Sequence, residues 1–394
     1  FSRKQVQEGW RLGCQVKVKE DLALKLPQSI LSIKEYECTV VSNKNVATFI
    51  KEFKVQLPAG EHIDITELQA FLDRRRPGTS ELTTARNETD CPDFLSGVTE
   101  DEDGNLTTCG FPLTAVIQNK DQHSSDYSEL LNKPRPSHAD YTAFLKYGEA
   151  RDMRGGGHFS GRLTAPLCIA GGICLQMLER RGILIGAHLE RVGEVLDEPF
   201  PLHPDKALFE DIRSRNPATI DASASLKMID EITNAKFDND SVGGIVECAV
   251  TGFPAGVGGP LFDGIEGELA KALFGIPAVK GVEFGNGFTA AELRGSQNND
   301  AFIAEDGTVR TETNRSGGIQ GGISNGMPLL FRVAIKPTPS IAKPQKTVDL
   351  ETMEETELII HGRHDPCIAV RAVPVVEAVA AIALTDLLLS ENKL

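Results

Sequence analysis

Thirteen residues set the tightest limit on the fold: Asn314-Arg315-Ser316-Gly317-Gly318-Ile319-Gln320-Gly321-Gly322-Ile323-Ser324-Asn325-Gly326. Five of them are glycine. Glycine at that density weakens the interior of a helix or a strand. Ile319 and Ile323 want burial, which a free surface loop does not provide. The segment is therefore expected to wrap tightly against a ligand or another stretch of backbone. It has no GK[ST] triplet and no dinucleotide fingerprint, so neither standard phosphate loop applies.

The chain has 394 residues, 40% hydrophobic and 25% charged. That is a core-forming composition. Net charge is −15, which argues against bulk electrostatic binding to nucleic acid or to an anionic membrane. Eight cysteines form no CxxC motif, as expected of a reduced, cytoplasmic protein. The charge is unevenly spread. Residues 1–60 carry ten Lys/Arg and six Asp/Glu, net +4, with three glycines. The remainder carries 31 against 50, net −19, with 34 glycines. This shift, and a start at Phe1, predict different origins for 1–60 and 61–394.

Two apolar runs read as core helices and not as membrane spans. Leu163–Leu178 holds Pro166, Gly171-Gly172 and Gln176, and falls short of the ~20 apolar residues a span needs. The run from Ile368 to Leu389 is interrupted by Arg371, Glu377 and Asp386. No signal peptide is visible.

Period-2 alternation predicts strands within residues 14–60. A short helix runs through Leu68, Phe71 and Leu72 with Thr66 as N-cap, stopped by Pro77-Gly78. Residues 80–120 read as short strands and turns, and Asn119–Gly157 as a loop. Helices are expected over Ser160–Arg181, Asp205–Ser223 with Ser225–Asn234, Ile265–Phe274 and Val375–Leu389. Strands are expected over Ile183–Val195, Gly244–Val250, Val279–Phe284, Phe331–Ile335 and Glu357–Ile360. Strands and separate helices in this order imply an α+β fold with sheet layers packed on helices.

Chemistry is concentrated in a few segments. Arg74-Arg75-Arg76-Pro77-Gly78, Arg135-Pro136-Ser137-His138, Arg151–Arg162 and Arg363-His364-Asp365-Pro366 place arginines beside Gly or Pro. An acidic protein that handles an anion must gather its cations locally. Arg forks bind phosphate or carboxylate in bidentate fashion, and Gly155-Gly156-Gly157 lets backbone N–H groups approach an anion. His138, His158, His361 and His364 are the candidate proton carriers. No metal spacing such as HExxH occurs, so no metal is expected.

Together these motifs resemble the chorismate synthase family from about Glu61 to the C-terminus. The matching segments are Asp73–Ser80 (DRRRPGTS), Ile117–Tyr127, Arg135–Thr142 (RPSHADYT), Tyr147–Thr164, Gly295–Asp300 (GSQNND), Ser316–Gly326 (SGGIQGGISNG), Lys336–Ile341 (KPTPSI) and Gly362–Pro366 (GRHDP). The resemblance implies a β-α-β sandwich, usually a homotetramer. It implies anti-1,4-elimination of phosphate from 5-enolpyruvylshikimate 3-phosphate to give chorismate, with reduced FMN as cofactor and no net redox change. Electrons for the flavin would come from a separate flavin reductase or from intrinsic NADPH oxidation.

Carried over by motif, the resemblance makes His138 the group that protonates reduced flavin near its N1–O2 edge. Asp365 would act near N5, assisting removal of the C6 hydrogen. Arg75, Arg76, Ser160, Arg162 and Arg363 would bind substrate. His158, Phe159, Ser160, Pro277, Ala278, Gly321, Lys336, Pro337, Thr338, Pro339, Ser340 and Arg363 would contact the flavin. His158 and Phe159 stand where many members have Arg-Ser, and Glu81 where many have Arg.

The family's N-terminal GESHG-type motif does not occur here. Residues 1–60 instead resemble the NADH-oxidising component of the sodium-translocating NADH:quinone reductase. Arg11-Leu12-Gly13-Cys14-Gln15 looks like the end of its [2Fe–2S] domain, and Tyr36–Gly60 like the start of its flavin domain. One cysteine cannot hold a cluster that needs four. The expectation is a chimera joined at about 57–64, with turnover lowered for want of one general acid, a loss of about 10²–10⁴. The alternatives are a catalytically dead ligand-binding chimera and a flavin-dependent reductase fragment.

Overall fold

The computed structural model describes residues 57–84, 88–118, 131–151, 159–305, 307–360 and 364–394. The strands expected within 14–56, and the quinone-reductase resemblance there, lie outside the described residues.

Seven helices of at least two turns are described: α1 (Ile65–Arg75), α2 (Asp140–Tyr147), α3 (Thr164–Glu179), α4 (Lys206–Arg213), α5 (Ala222–Phe237), α6 (Ile265–Leu273) and α7 (Ala369–Ser390). A five-stranded sheet is built from β1 (Leu184–Val192), β2 (Val195–Leu196), β3 (Gly244–Thr251), β4 (Val279–Phe284) and β5 (Leu329–Ile335). Its order is β2-β1-β3-β5-β4, with every neighbour antiparallel. Short two- and three-stranded sheets complete the strand content, and the α+β expectation holds.

The sheet is covered on one face by α3 and α7, whose apolar side chains form the main core. By length and composition, Gly161–Glu179 and Ala369–Ser390 could cross a membrane. However, 67% and 78% of their apolar windows are buried inside the protein, so they are core helices here. The adjacent glycines of α3 explain the packing. A Cβ on Gly171 would lie 2.3 Å from the Ala378 Cβ of α7, and one on Gly172 would lie 2.5 Å from Leu68 Cδ1 of α1. The pair lets α3 touch both neighbours at backbone distance. The opposite sheet face meets α4, where Phe209 packs on Gly186 of β1.

Two local expectations change. Helix α1 is capped by Asp64, whose carboxylate accepts from Glu67 N at 2.9 Å, and not by Thr66. Asp outranks Thr as an N-cap. Helix α7 starts at Ala369 and carries Pro374 in its interior, so the expected start at Val375 is six residues late. The structure also shows packing near residue 60, within the 57–64 range expected for the junction. Leu57 is buried in the main core, and the Pro58 carbonyl accepts from Thr108 Oγ1 at 2.5 Å. Residues 57–60 therefore pack with the body.

A charged cluster is sealed beneath α5. His188 of β1 contacts Asp197 through Nδ1 (2.8 Å) and Glu247 of β3 through Nε2 (3.0 Å). Burial opposes a charged imidazole, but the hydrogen bonds to Asp197 and Glu247 outweigh it and raise its pKa. The sign of the linkage follows. A raised histidine contributes stability that is complete below its unfolded pKa of about 6.5 and is lost as pH rises through the higher folded value. The Asp197 carboxyl is lowered against burial, chiefly by its bond to His188, so its contribution is lost as pH falls below the usual aspartate range. Thermal unfolding should therefore show a stability loss on the alkaline side that His188→Gln removes. An identical alkaline slope in the variant would exclude this assignment.

Candidate functional site

The RPSHADYT segment turns sharply before α2. Ser137 adopts φ 58°, and the Arg135 carbonyl accepts from His138 N at 3.2 Å. This turn brings Arg135, His138 and Asp140 together. Arg135 donates to Asp140 through Nε (2.7 Å), NH2 (2.8 Å) and its backbone N (3.0 Å). His138 Nδ1 lies 2.5 Å from Asp140 Oδ1. Burial opposes ionisation of Asp140, but hydrogen bonds from Arg135 and His138 hold its carboxyl far below the usual range. As the first residue of α2, Asp140 also faces the positive end of the helix dipole.

The KPTPS segment joins this group. Arg135 NH1 donates to Ser340 Oγ at 3.0 Å, and Lys336 Nζ donates to the Ser137 carbonyl. The Lys336 backbone N bonds the carbonyl of Ala278 at 3.0 Å. Burial and the nearby Lys280 charge push the Lys336 pKa down. Of the residues expected to contact flavin, Ala278, Lys336 and Ser340 are thus brought against His138. Pro277, Pro337, Thr338 and Pro339 flank them in the chain.

Asp365 is nearly buried. Its carboxylate accepts from Thr84 N at 2.8 Å and from Arg371 NH1 of α7 at 2.7 Å. Arg371 Nε also donates to the Arg75 carbonyl at 2.9 Å. The two groups are linked: Val242 N bonds the Pro366 carbonyl at 2.9 Å, and Ser241 Oγ bonds the Thr338 carbonyl at 2.7 Å. A bonded path therefore runs from His138 through KPTPS to Asp365.

The arginines behave differently from a free cationic ring. Arg75 is 3% exposed. It donates to Asp90 Oδ2 (2.5 Å), Thr164 Oγ1 (3.1 Å) and the Gly161 carbonyl (3.0 Å). All three guanidinium nitrogens face protein, so these contacts give Arg75 a structural role, and the substrate role expected of it stays a proposal. Arg74 is bound by Glu377, which is fully buried on α7. Arg76 is half-buried beside Asp73 at 2.8 Å. Its Nε lacks the alignment of a hydrogen bond, so a neighbouring anion could still take it. Ser160 caps the turn before α3, its Oγ accepting from Arg162 N at 3.3 Å. Phe159 is exposed. His158 and Arg363 lie outside the described residues.

The glycine segment forms a small hairpin, Ile319–Gln320 against Ile323–Ser324. A Cβ on Gly317 would lie 2.6 Å from the Leu330 carbonyl oxygen, and one on Gly322 would lie 2.3 Å from that of Gly259. Close backbone is thus the reason for most of the glycines. Gly321 is the exception, with open space where its Cβ would be. Its hairpin leans on residues 256–265, so the described contacts do not bring it to His138.

Polar atoms left over in these segments suit a ligand rich in hydrogen-bonding groups. Thr338 Oγ1, Asn325 Nδ2 and Ser80 Oγ are buried without a partner among the described residues. Such orphans are rare in a finished core. Asp140, Arg371 and Thr84 escaped the sequence reading. The Arg135-x-x-His138-x-Asp140 spacing was a usable signal for the first, whereas Arg371 and Thr84 meet Asp365 only through the tertiary fold.

The site is an arginine–histidine–aspartate cluster on an α+β body, of the kind that serves an enzyme acting on an anionic ligand. The family model for chorismate synthase matches residues 52–389. The chorismate synthase of Thermococcus gammatolerans is 50% identical over 333 residues, 84% of this chain and 90% of its own length. That of Korarchaeum cryptofilum is 47% identical over 330 residues, covering 84% and 89%. A solved crystal structure of chorismate synthase superposes with TM-score 0.64 and 28% identity, covering 85% of this chain and 86% of its own. The chain belongs to the chorismate synthase family.

Proposed function

We propose that the chain converts 5-enolpyruvylshikimate 3-phosphate to chorismate by anti-1,4-elimination, in the route to aromatic amino acids. The C3–O bond breaks with its electron pair leaving on phosphate. C6 loses its hydrogen, and the remaining electrons form the second ring double bond. The observation that carries this reading is the bonded path from His138 through Lys336–Ser340 to Asp365.

Reduced FMN would supply the electron-rich ring chemistry when bound, and the orphaned Thr338 hydroxyl fits a cofactor of that kind. Pro277, Ala278, Gly321 and Lys336–Ser340 would hold it. The chain's own work is then local. His138 Nε2 holds or gives a proton at its exposed edge. Lys336 and Arg76 attract the anions. Thr84 and Arg371 fix the orientation of the Asp365 carboxylate. The apolar bulk of α3 and α7 behind the site excludes water, which strengthens each of these interactions.

The homotetramer, the cytoplasmic location and an external source of reduced flavin belong to the same proposal. So does a foreign origin for the N-terminal segment, joined at about 57–64. Anaerobic incubation of the purified chain with reduced FMN and substrate tests the activity. Expected is stoichiometric release of phosphate and chorismate with no net flavin oxidation, and none with oxidised FMN. Substrate that stays intact with reduced FMN would overturn the reading.

A further inference from the structure

We propose that Asp140, clamped by Arg135, is a positioning residue that fixes the tautomer of His138 with the proton on Nδ1 and Nε2 as the working nitrogen. The inference rests on the lyase reading for its purpose, but not for its geometry.

The contacts determine the tautomer. Nδ1 of His138 faces both Asp140 Oδ1 at 2.5 Å and Arg135 NH2 at 3.1 Å. A bare Nδ1 lone pair at 2.5 Å from a carboxylate oxygen would be repulsive. A proton on Nδ1 turns that contact into a short charge-assisted hydrogen bond, and the longer 3.1 Å contact from Arg135 NH2 yields to it because that donor is already engaged with Asp140 Oδ1 at 2.8 Å. Nε2 has no hydrogen-bond partner among the described residues, and is the nitrogen left to exchange a proton.

Asp140 itself is not a proton carrier. A carboxylate has about four acceptor positions. Its Oδ2 accepts from Arg135 N and Nε, and its Oδ1 from Arg135 NH2 and His138 Nδ1. All are used. Both Arg135 and Asp140 are 3% exposed at the side chain, so water does not compete. Arg135 is anchored in turn by Ser340. The charged groups facing the imidazole from the packed segments are Asp140 and Arg135 of its own turn. Lys336 Nζ follows at the Ser137 carbonyl, with Lys280 behind it.

Nitrogen-15 NMR of the imidazoles in the full chain, without ligand, tests this directly. The His138 signals are assigned by their loss in His138→Gln. Above its pKa, wild-type His138 is expected as the Nδ1–H tautomer, and Asp140→Asn should move it towards Nε2–H. The same variant should lower kcat about 10- to 100-fold, as removal of an outer partner typically does. KM should be unchanged, and Asp140→Glu should restore part of the loss. A purely structural role would leave the tautomer in place. The wild-type spectrum needs no variant to fold. Wild-type His138 found as Nε2–H, or an unchanged tautomer in Asp140→Asn, overturns the proposal.

Discussion

His138→Gln is expected to lower turnover about 10²–10⁴-fold, the range for loss of one general acid or base, with KM for substrate nearly unchanged. Glutamine keeps a donor near Asp140 but has no nitrogen that ionises near neutral pH. Asp140 retains its three bonds from Arg135, so the fold loses one hydrogen bond, about 1 kcal/mol. The large rate effect and the small stability effect should therefore separate cleanly. Steady-state kinetics with reduced FMN, alongside thermal unfolding, measures both. A kcat within about threefold of wild type would remove His138 from the proton-handling role, since that is far below the general-acid range.

Much of the fold was legible because it is written in local periodicity. The strands at 244–251 and 279–284 and the helix at 265–273 fall within a residue or two of expectation. The glycine segment was legible as a tight wrap, although most of it closes on backbone and not on a ligand. What failed was long-range pairing. Arg75 meets Asp90 and Arg74 meets Glu377, partners 15 and 303 positions away. Nothing local distinguishes an arginine awaiting phosphate from one awaiting a buried carboxylate. Pro374 misled for a related reason. It costs a helix one backbone bond, but the burial of α7 in the core outweighs that loss. The His138 group was half legible, because its carboxylate is only two positions away.

Arg75 has two readings, one from the motif and one from its buried partner, and so carries the second large effect. Resemblance makes it a substrate-binding residue, and such a residue, once replaced, raises KM and leaves stability alone. The structure makes it one half of a buried ion pair with Asp90, with side chains 4% and 8% exposed. Its guanidinium also ties α1 to the turn before α3 through Gly161 and Thr164. Burial and the Arg371 charge lower its pKa, with Asp90 opposing them, so Asp90 is the group that compensates its charge in the core. Arg75→Met keeps the length of the stem but strands the Asp90 carboxylate. Removing one partner of such a pair costs about 3–5 kcal/mol, seen as a lower unfolding midpoint. Arg75→Met with Asp90→Asn should regain part of that loss, since the uncompensated charge is then gone. If Arg75 instead works on substrate, the double variant stays as inactive as the single one and the single variant unfolds at the wild-type midpoint. Denaturant unfolding of the three proteins, read beside KM, distinguishes the two roles.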